Sequence, residues 1–591
     1  MNPFGDIIKT YAEKNPKGIA VYYGTKRKET WKELNDRVNS LANVLYDLGI
    51  RKGDKGIVMF HNSPEFMESV RALEKLGAIS VPMNYRFVSK EIEYQTKHSD
   101  SKVFLTEDLW LEDVRKARPN MPKVENYIVS GESGEFLNYE DSIKKYPSKE
   151  PEVDTGMDDV CSIWYTGGTT GTPKGTVHTY AGCITTLEGV LGAALKGVPQ
   201  TKIPKLRLPI PFSSSIAEII GSDFTNDLIH RPTVQKILAD PSLPKIIINR
   251  ILPILRGRLP FLELPFLSSL PLFHSANFMV WTAIWLAGMG SIPFVVQTNP
   301  RFDPKEILEI LDKVKPIALA LVPTMWVKLL EHPDIDKYDF SRVAVVGSGA
   351  GICTGDLKKR VFERFPRSVF ADGFGQTEMG PVVTWKFDTS AQVDKIKDRS
   401  VGVSLSTVGI RVVNERGEDM KPGETGEIIY KGETMMNKYY KDEERTSALI
   451  KDGWFYSGDL GYFDADGELF VVDRKGEIIS TGGEKIYPHE VEEILESNPK
   501  VEYSCLMGIP DETYGKIPVG LIKVIEGEEA TEDEIIDWCR DKMSGFKRPR
   551  FVVFVDEFPL NPVGKVLRRE GEERFKGEIE EGYERWKKKQ R

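Results

Sequence analysis

Cysteine is scarce in this chain, and what there is lies scattered: Cys161, Cys183, Cys353, Cys505 and Cys539 among 591 residues. None stands close in sequence to another cysteine or to a histidine, so neither a zinc site nor a disulfide framework is suggested. A reducing cytoplasm is the simple reading. Long apolar runs are missing too: proline, charge or other polar residues interrupt each one before the ~18 residues that a membrane-spanning helix needs. The opening stretch, MNPFGDIIKTYAEKNP, has no basic start followed by an apolar segment, so no secretory leader is expected. Positive charge is not in excess; the formal balance is −9, which gives general nucleic-acid binding no electrostatic support. No internal repeat is found. With 40% hydrophobic and 29% charged residues the composition is that of an ordinary globular protein, and the length calls for more than one domain.

What the chain does have is the segment Tyr165 to Gly175, YTGGTTGTPKG. Glycine lets a backbone approach a ligand closely. Successive N–H groups in such a loop form a concavity suited to anions, and threonine hydroxyls and Lys174 add donors for phosphate oxygens. The preceding apolar run, Val160 to Tyr165, predicts a buried strand, so the loop leaves a strand end, where α/β sheets bind ligands. The segment is not the P-loop of common nucleotide hydrolases, because Lys174 is followed by Gly175 rather than by Ser or Thr.

Periodicity predicts an α/β protein. Thr30–Leu48 and Ser63–Leu76 read as helices and Lys55–Met59 and Ala78–Pro82 as strands, an alternation that argues a parallel or mixed sheet with crossover helices. A second alternating block spans Pro271–Gln376, with strands at Pro316–Val322 and Val343–Val346 and helices at Asp303–Val314 and Gly355–Phe365. Residues Ile410–Asp473 carry short strands and glycine turns, a β subdomain; within it Asp464, Asp466 and Gly467 read as a hairpin turn. The expected division is an N-terminal domain over 1–473 and a small mobile α/β C-terminal domain over 474–591, ending in a charged, solvated helix over Glu570–Arg591. Residues 200–267 stand apart. They are rich in proline and apolar residues, and Lys202–Glu263 holds nine basic against five acidic side chains. Two readings stay open for this segment: a basic, apolar surface for a bilayer or partner protein, and an ordinary subdomain or dimer contact over the substrate tunnel.

YTGGTTGTPKG resembles the phosphate-binding signature of the adenylate-forming superfamily, which includes acyl-CoA synthetases, aryl-CoA ligases, luciferases and adenylation domains. The family pattern usually has Ser where this chain has Gly168. The segments GDKGIVMFHNSPEF and GAISVPMNYRF are similar to the N-terminal part of acyl-CoA synthetases. Further motifs follow in the family's order, and each implies a role. Thr166, Gly167, Gly168, Thr169, Thr170, Gly171, Thr172 and Lys174 would cradle the ATP phosphates. GSGAG, with Gly349, Ala350 and Gly351, would lie against adenine. In ADGFGQTEMGP, Asp372 would reach the adenine amino group, Gly373 and Gly375 would flank Phe374 as it stacks on the base, Thr377 would touch phosphate, and Glu378 would hold Mg²⁺. Phe273 and His274 of PLFHS, with Val322, Thr324, Gly375 and Gln376, would line the acyl pocket. Asp459 and Arg474 would meet the ribose. Asp473 and Gly476 bracket the expected hinge, where the family usually has Lys or Asp at the position of Gly476. Gly482 and Gly483 would border the CoA tunnel. Lys565, after Pro-Leu-Asn-Pro-Val-Gly, would bridge the carboxylate and the α-phosphate, where negative charge builds.

The resemblance implies a two-step ligase with Thr166, His274, Glu378 and Lys565 as its catalytic set. A carboxylate would attack Mg·ATP to give acyl-AMP and pyrophosphate, and CoA would then take the acyl group. CoA is the expected acceptor by elimination, only 26 residues following Lys565. The expected acid is a medium- or long-chain fatty acid, which places the protein in lipid metabolism. The alternatives are an aryl-CoA ligase, an acyl-AMP ligase feeding a carrier protein, a luciferase-like oxygenase and a catalytically inactive nucleotide-binding scaffold. Expected partners are small molecules, with no nucleic acid; peripheral membrane contact through 200–267 and a homodimer stay open.

Overall fold

The computed structural model describes residues 4–166, 173–197, 231–238, 240, 243–247, 263–287, 290–349, 351, 353–481, 484–511, 513–540, 542–560 and 566–590. The chain divides into two units, Met1–Gly409 with Tyr430–Phe455, and Ile410–Ile429 with Tyr456–Arg591.

Among the described residues of the first unit, two large sheets carry the fold. The eight-stranded sheet runs in the order Lys438–Tyr439, Lys174–Thr179, Val160–Thr166, Ile79–Pro82, Lys55–Met59, Val103–Glu107, Asn126–Ser130, Leu137–Asn138. Its central strands are parallel, and their short continuous apolar runs are buried on both faces, as strands covered by crossover helices must be. The helices start where side chains can satisfy orphan N–H groups. Thr30 and Glu33 form a capping box ahead of Trp31–Asp47, and Ser63 with Pro64 opens Pro64–Lys75. The nine-stranded sheet centres on the parallel strands Phe266–Ser268, Ala318–Ala320, Val345–Gly349 and Val369–Phe374, with Thr384–Thr389 added antiparallel. Trp31, Trp281 and Trp285 anchor the largest core cluster. The fully buried Arg71 sits in it, 4.0 Å from the Trp281 ring centroid and 2.6 Å from Glu74.

The second unit holds all but the outermost residues of strands Gly409–Val413, Gly426–Lys431 and Trp454–Phe463, together with Leu469–Arg474. A further sheet, Glu484–Ile486, Ile479–Thr481, Gly515–Val524, Val501–Asp511, packs helix Pro488–Glu496 and takes Val552–Phe554 as a parallel addition.

Three expectations change. The strand expected at Val343–Val346 is Val345–Gly349, so the first glycines of GSGAG lie within the strand instead of after it. The charged tail is helical, Arg568–Arg574 and Lys576–Gln590, but it is not simply solvated. Ile579 and Trp586 are buried against Val519, Leu521 and Phe551, because the apolar residues recur on one face of a mostly charged sequence. The cysteines are less dispersed than their spacing implies: Cys161 and Cys183 sit with their Sγ atoms 3.7 Å apart in the core, both as free thiols. The Asp464–Gly467 turn is as expected, with Gly467 at φ 80° and Asp464 paired to Glu468. Most of 200–267 lies outside the described residues. Of the part within them, the short helix Leu243–Ile246 lies against Tyr180–Gly197, where a Cβ at Gly192 would stand 3.2 Å from Pro244. Among the described residues no helix is long and apolar enough to cross a membrane.

Candidate functional site

The phosphate-loop segment is flanked by two paired strands. Val160–Thr166 and Lys174–Thr179 pair antiparallel, with Tyr165 opposite Gly175 and Thr166 opposite Lys174. Residues Gly167, Gly168, Thr169, Thr170, Gly171 and Thr172 lie outside the described residues. The stem is pinned from both sides. The Tyr94 hydroxyl donates to the Pro173 carbonyl at 3.0 Å, and the Tyr440 amide donates to the Gly175 carbonyl at 2.7 Å. Burial pushes the Lys174 ammonium down, and the Arg445 guanidinium pushes the same way.

Strand Val369–Phe374 delivers Asp372, Gly373 and Phe374 to the sheet's carboxyl end, and Gly375 follows at its tip. Gly375 is there because nothing larger fits. A Cβ at that position would lie 2.2 Å from the Pro381 carbonyl oxygen and 2.8 Å from the Val382 Cα, both backbone atoms. The neighbouring Val383 amide donates to the Phe374 carbonyl at 2.8 Å and locks the two segments together. Gly349 faces the Gly373 carbonyl, with 3.4 Å for a Cβ, and among the described residues a Cβ at Gly351 would meet Pro323 at 3.5 Å. Ala350 lies outside the described residues. The Asp372 carboxylate is paired with Lys358 at 3.0 Å, and the same ammonium reaches Asp388 at 2.9 Å.

Thr377 and Glu378 form a short 3₁₀ turn closed by Gly380 at φ 68°. The Tyr439 hydroxyl donates to one Glu378 carboxylate oxygen at 2.9 Å, and the Met436 amide donates to the Glu378 carbonyl at 2.7 Å. One carboxylate held in this way suits Mg²⁺, which often takes a single carboxylate together with substrate phosphates.

The acyl-pocket candidates come from the same unit. Asn62 fixes the approach to Phe273, accepting from the Leu272 amide at 2.8 Å and donating to the Leu270 carbonyl at 2.7 Å. Phe273 then stands edge-on to Tyr85, with ring centroids 5.7 Å apart. His274 precedes helix Ser275–Ala287, and its Nδ1 accepts from the Ala276 amide at 3.3 Å, which leaves the ring proton on Nε2. Burial pulls the His274 pKa down to about 4, so the ring is neutral at pH 7. The Ser275 hydroxyl meets the Thr377 hydroxyl at 3.0 Å, so the acyl element and the Thr377–Glu378 turn share one place. Val322 is buried ahead of helix Pro323–Leu330, Thr324 is half-buried on its first turn, and Gln376 is buried beside Thr377.

In the second unit Asp459 and Arg474 are opposite each other on paired strands and form an ion pair at 3.0 Å. The carboxylate of Asp473 accepts from the Arg474 amide at 2.7 Å and the His489 amide at 3.1 Å, tying the expected hinge to the start of helix Pro488–Glu496. At Gly476 a Cβ would meet nothing within 4 Å among the described residues. Gly482, Gly483 and Lys565 lie outside the described residues. The flanks of Lys565 are well held. Leu560 and Val566 form an antiparallel bridge, and Arg568 makes a bidentate pair with Glu492 at 2.6 and 2.7 Å and a further contact with Glu477 at 2.8 Å.

The family model described as AMP-binding enzyme matches residues 8–220 and 254–440, and that of the AMP-binding enzyme C-terminal domain matches 490–565. The chain belongs to the AMP-binding enzyme family. A feruloyl-CoA synthase from an Amycolatopsis species is 27% identical over 95% of this chain and 97% of its own length. A 4-coumarate–CoA ligase from Nicotiana tabacum is 29% identical over 91% of this chain and 87% of its own. Among solved structures, an anthranilate CoA ligase in complex with anthranoyl-AMP shares the fold with a TM-score of 0.74 at 22% identity, covering 96% of both chains.

Sequence reasoning missed Ser275, Lys358, Tyr439 and Arg568. Ser275 is the last residue of the PLFHS motif, where only Phe273 and His274 were assigned roles. The others act through partners 14 to 91 residues away, and no local pattern marks them.

Proposed function

We propose that this chain activates a carboxylic acid with Mg·ATP to give acyl-AMP and pyrophosphate, and then transfers the acyl group to CoA with release of AMP. The observation that supports this reading most is the Ser275–Thr377 contact at 3.0 Å, between the residue after His274 and the Thr377–Glu378 turn. A carboxylate and a triphosphate repel each other, so the site must supply positive charge and position. Lys174 and the loop amides would hold the phosphates, and Lys565 would neutralise charge building between carboxylate and α-phosphate. Neutral His274, with its proton on Nε2, would donate to an acyl oxygen. Asp459 and Arg474 would take the ribose. Glu378, oriented by Tyr439, would hold Mg²⁺ together with ATP phosphates, and the ion would supply further charge neutralisation. For thioester formation the C-terminal segment would turn at Asp473–Gly476, withdrawing Lys565 and presenting Gly482 and Gly483.

The acid we assign is an aryl-substituted propenoic acid, of the kind the curated relatives are named for. A medium- or long-chain fatty acid is the second reading, supported by the PLFHS resemblance. Competition decides between them: equimolar ferulate and dodecanoate are offered with ATP and CoA, and the thioester is identified by mass. Feruloyl-CoA as the main product supports the first reading; dodecanoyl-CoA would refute it in favour of the second.

A further inference from the structure

Lys358 is a cation the proposed reaction does not use, yet it is almost wholly buried, with 2% of its side chain exposed. It projects from helix Gly355–Arg364 over the Phe370 ring, 5.2 Å from the centroid, and reaches Asp372 two residues further along the same strand face. It also meets Asp388 on the next strand at 2.9 Å. Burying an ammonium is costly unless partners compensate, and here two carboxylates do. Tying helix to strand would need only Asp388; the second contact goes to the residue read above as meeting adenine.

We propose that Lys358 is a positioning residue for base selection, holding Asp372 as an ionised acceptor so that a 6-amino purine is taken and a 6-oxo purine is refused. The inference rests on the preceding reading of Asp372. An ionised carboxylate only accepts hydrogen bonds, whereas a protonated one also donates. The adenine amino group is a donor and the guanine O6 an acceptor, so the charge state of Asp372 sets which base fits. A site built to pair with one polar group rejects its mismatch strongly. Burial pushes the Asp372 carboxyl up and the Lys358 ammonium opposes it. The other groups facing Asp372 are Asp388 and Lys386 on the adjoining strand and the Cys353 thiol ahead of the helix; Asp388 also pushes it up and Lys386 pulls it down.

Equilibrium binding of ATP and of GTP to the full chain, measured by calorimetry between pH 6 and 9, tests this independently of catalysis. Wild type should prefer ATP. Lys358→Gln should lower the ATP/GTP affinity ratio at least tenfold at pH 7, and the loss should shrink toward pH 9 as Asp372 ionises. Lys358→Arg should keep the preference. Asp372→Asn should lower it, because Lys358 would draw the amide oxygen and leave the amide N–H to face the base. Lys358→Gln/Asp372→Asn should recover it as the amide becomes free to flip. An unchanged ratio in Lys358→Gln, or a pH-independent loss equal for both nucleotides, would overturn the proposal. Should Lys358→Gln fail to fold, an unchanged ratio in Asp372→Asn would do the same. Normal ATP selectivity without carboxylate-dependent pyrophosphate release would contradict the proposed function and leave this inference standing.

Discussion

Two glycines in the candidate nucleotide segments should respond oppositely to the same methyl group. At Gly375 an added Cβ meets the Pro381 carbonyl oxygen at 2.2 Å, the Pro381 carbonyl carbon at 2.8 Å and the Val382 Cα at 2.8 Å. No flexible side chain can give way, and the Val383–Phe374 hydrogen bond resists separation of the two segments. Relief needs a backbone shift on the order of 1 Å, and overpacking of this kind costs about 1–3 kcal/mol. At Gly351 the added Cβ would stand in ordinary contact with Pro323 at 3.5 Å, and no closer atom is found among the described residues. There the reduced entropy of the unfolded chain should make alanine neutral to stabilising by about 0.4–1 kcal/mol. Chemical denaturation of Gly375→Ala and Gly351→Ala, followed by tryptophan fluorescence, compares them directly. Activity should separate the pair further, since a misplacement of about 1 Å near the reacting groups can cost ~100-fold. Equal stability of the two variants would refute the packing argument.

Tyr439→Phe removes the donor that holds Glu378; a hydrogen bond to a charged group is worth about 1.5–3 kcal/mol, so the Mg²⁺ concentration for half-maximal pyrophosphate release should rise about tenfold or more, and an unchanged Mg²⁺ titration would count against the pairing. Lys565→Ala should abolish adenylation while largely sparing thioester formation from supplied acyl-AMP; equal loss of both half-reactions would contradict the division of labour. His274 has its folded pKa depressed from 6.5 to about 4 by burial. Its neutral form is the one the fold tolerates, so its contribution is present above pH 6.5 and is lost as pH falls through 4. His274→Gln should therefore flatten the decline of stability across that acid window, and an unchanged slope would show that the ring is not desolvated.

Elements bounded by glycine, proline or a cap were legible to within a residue or two. The strand reading Lys55–Met59 matches its observed limits, and the helix reading Thr30–Leu48, made on apolar spacing, exceeds the helix Trp31–Asp47 by one residue at each end. Val345–Gly349 was misplaced because glycines usually end a strand. Here neighbouring strands on both sides supply the ladder that holds them in place. The tail's buried face was hidden by its charge, since two apolar residues a helical spacing apart, Ile579 and Trp586, sufficed to dock it. At the site, motif residues such as Asp372 and Glu378 were readable by resemblance. Their holders Lys358 and Tyr439 were not, because a helix and a distant strand bring them in and sequence carries no sign of that distance. The closeness of Cys161 and Cys183 is of the same kind, a product of packing between a strand and the helix that follows its partner.

The most direct test of the account is pyrophosphate release from Mg·ATP across a panel of aryl, fatty and short-chain carboxylic acids, with and without CoA. The account predicts release that depends on one class of acid, with AMP and acyl-CoA accumulating only when CoA is present. Release with no CoA product under any acid, or no acid-dependent release at all, would contradict it.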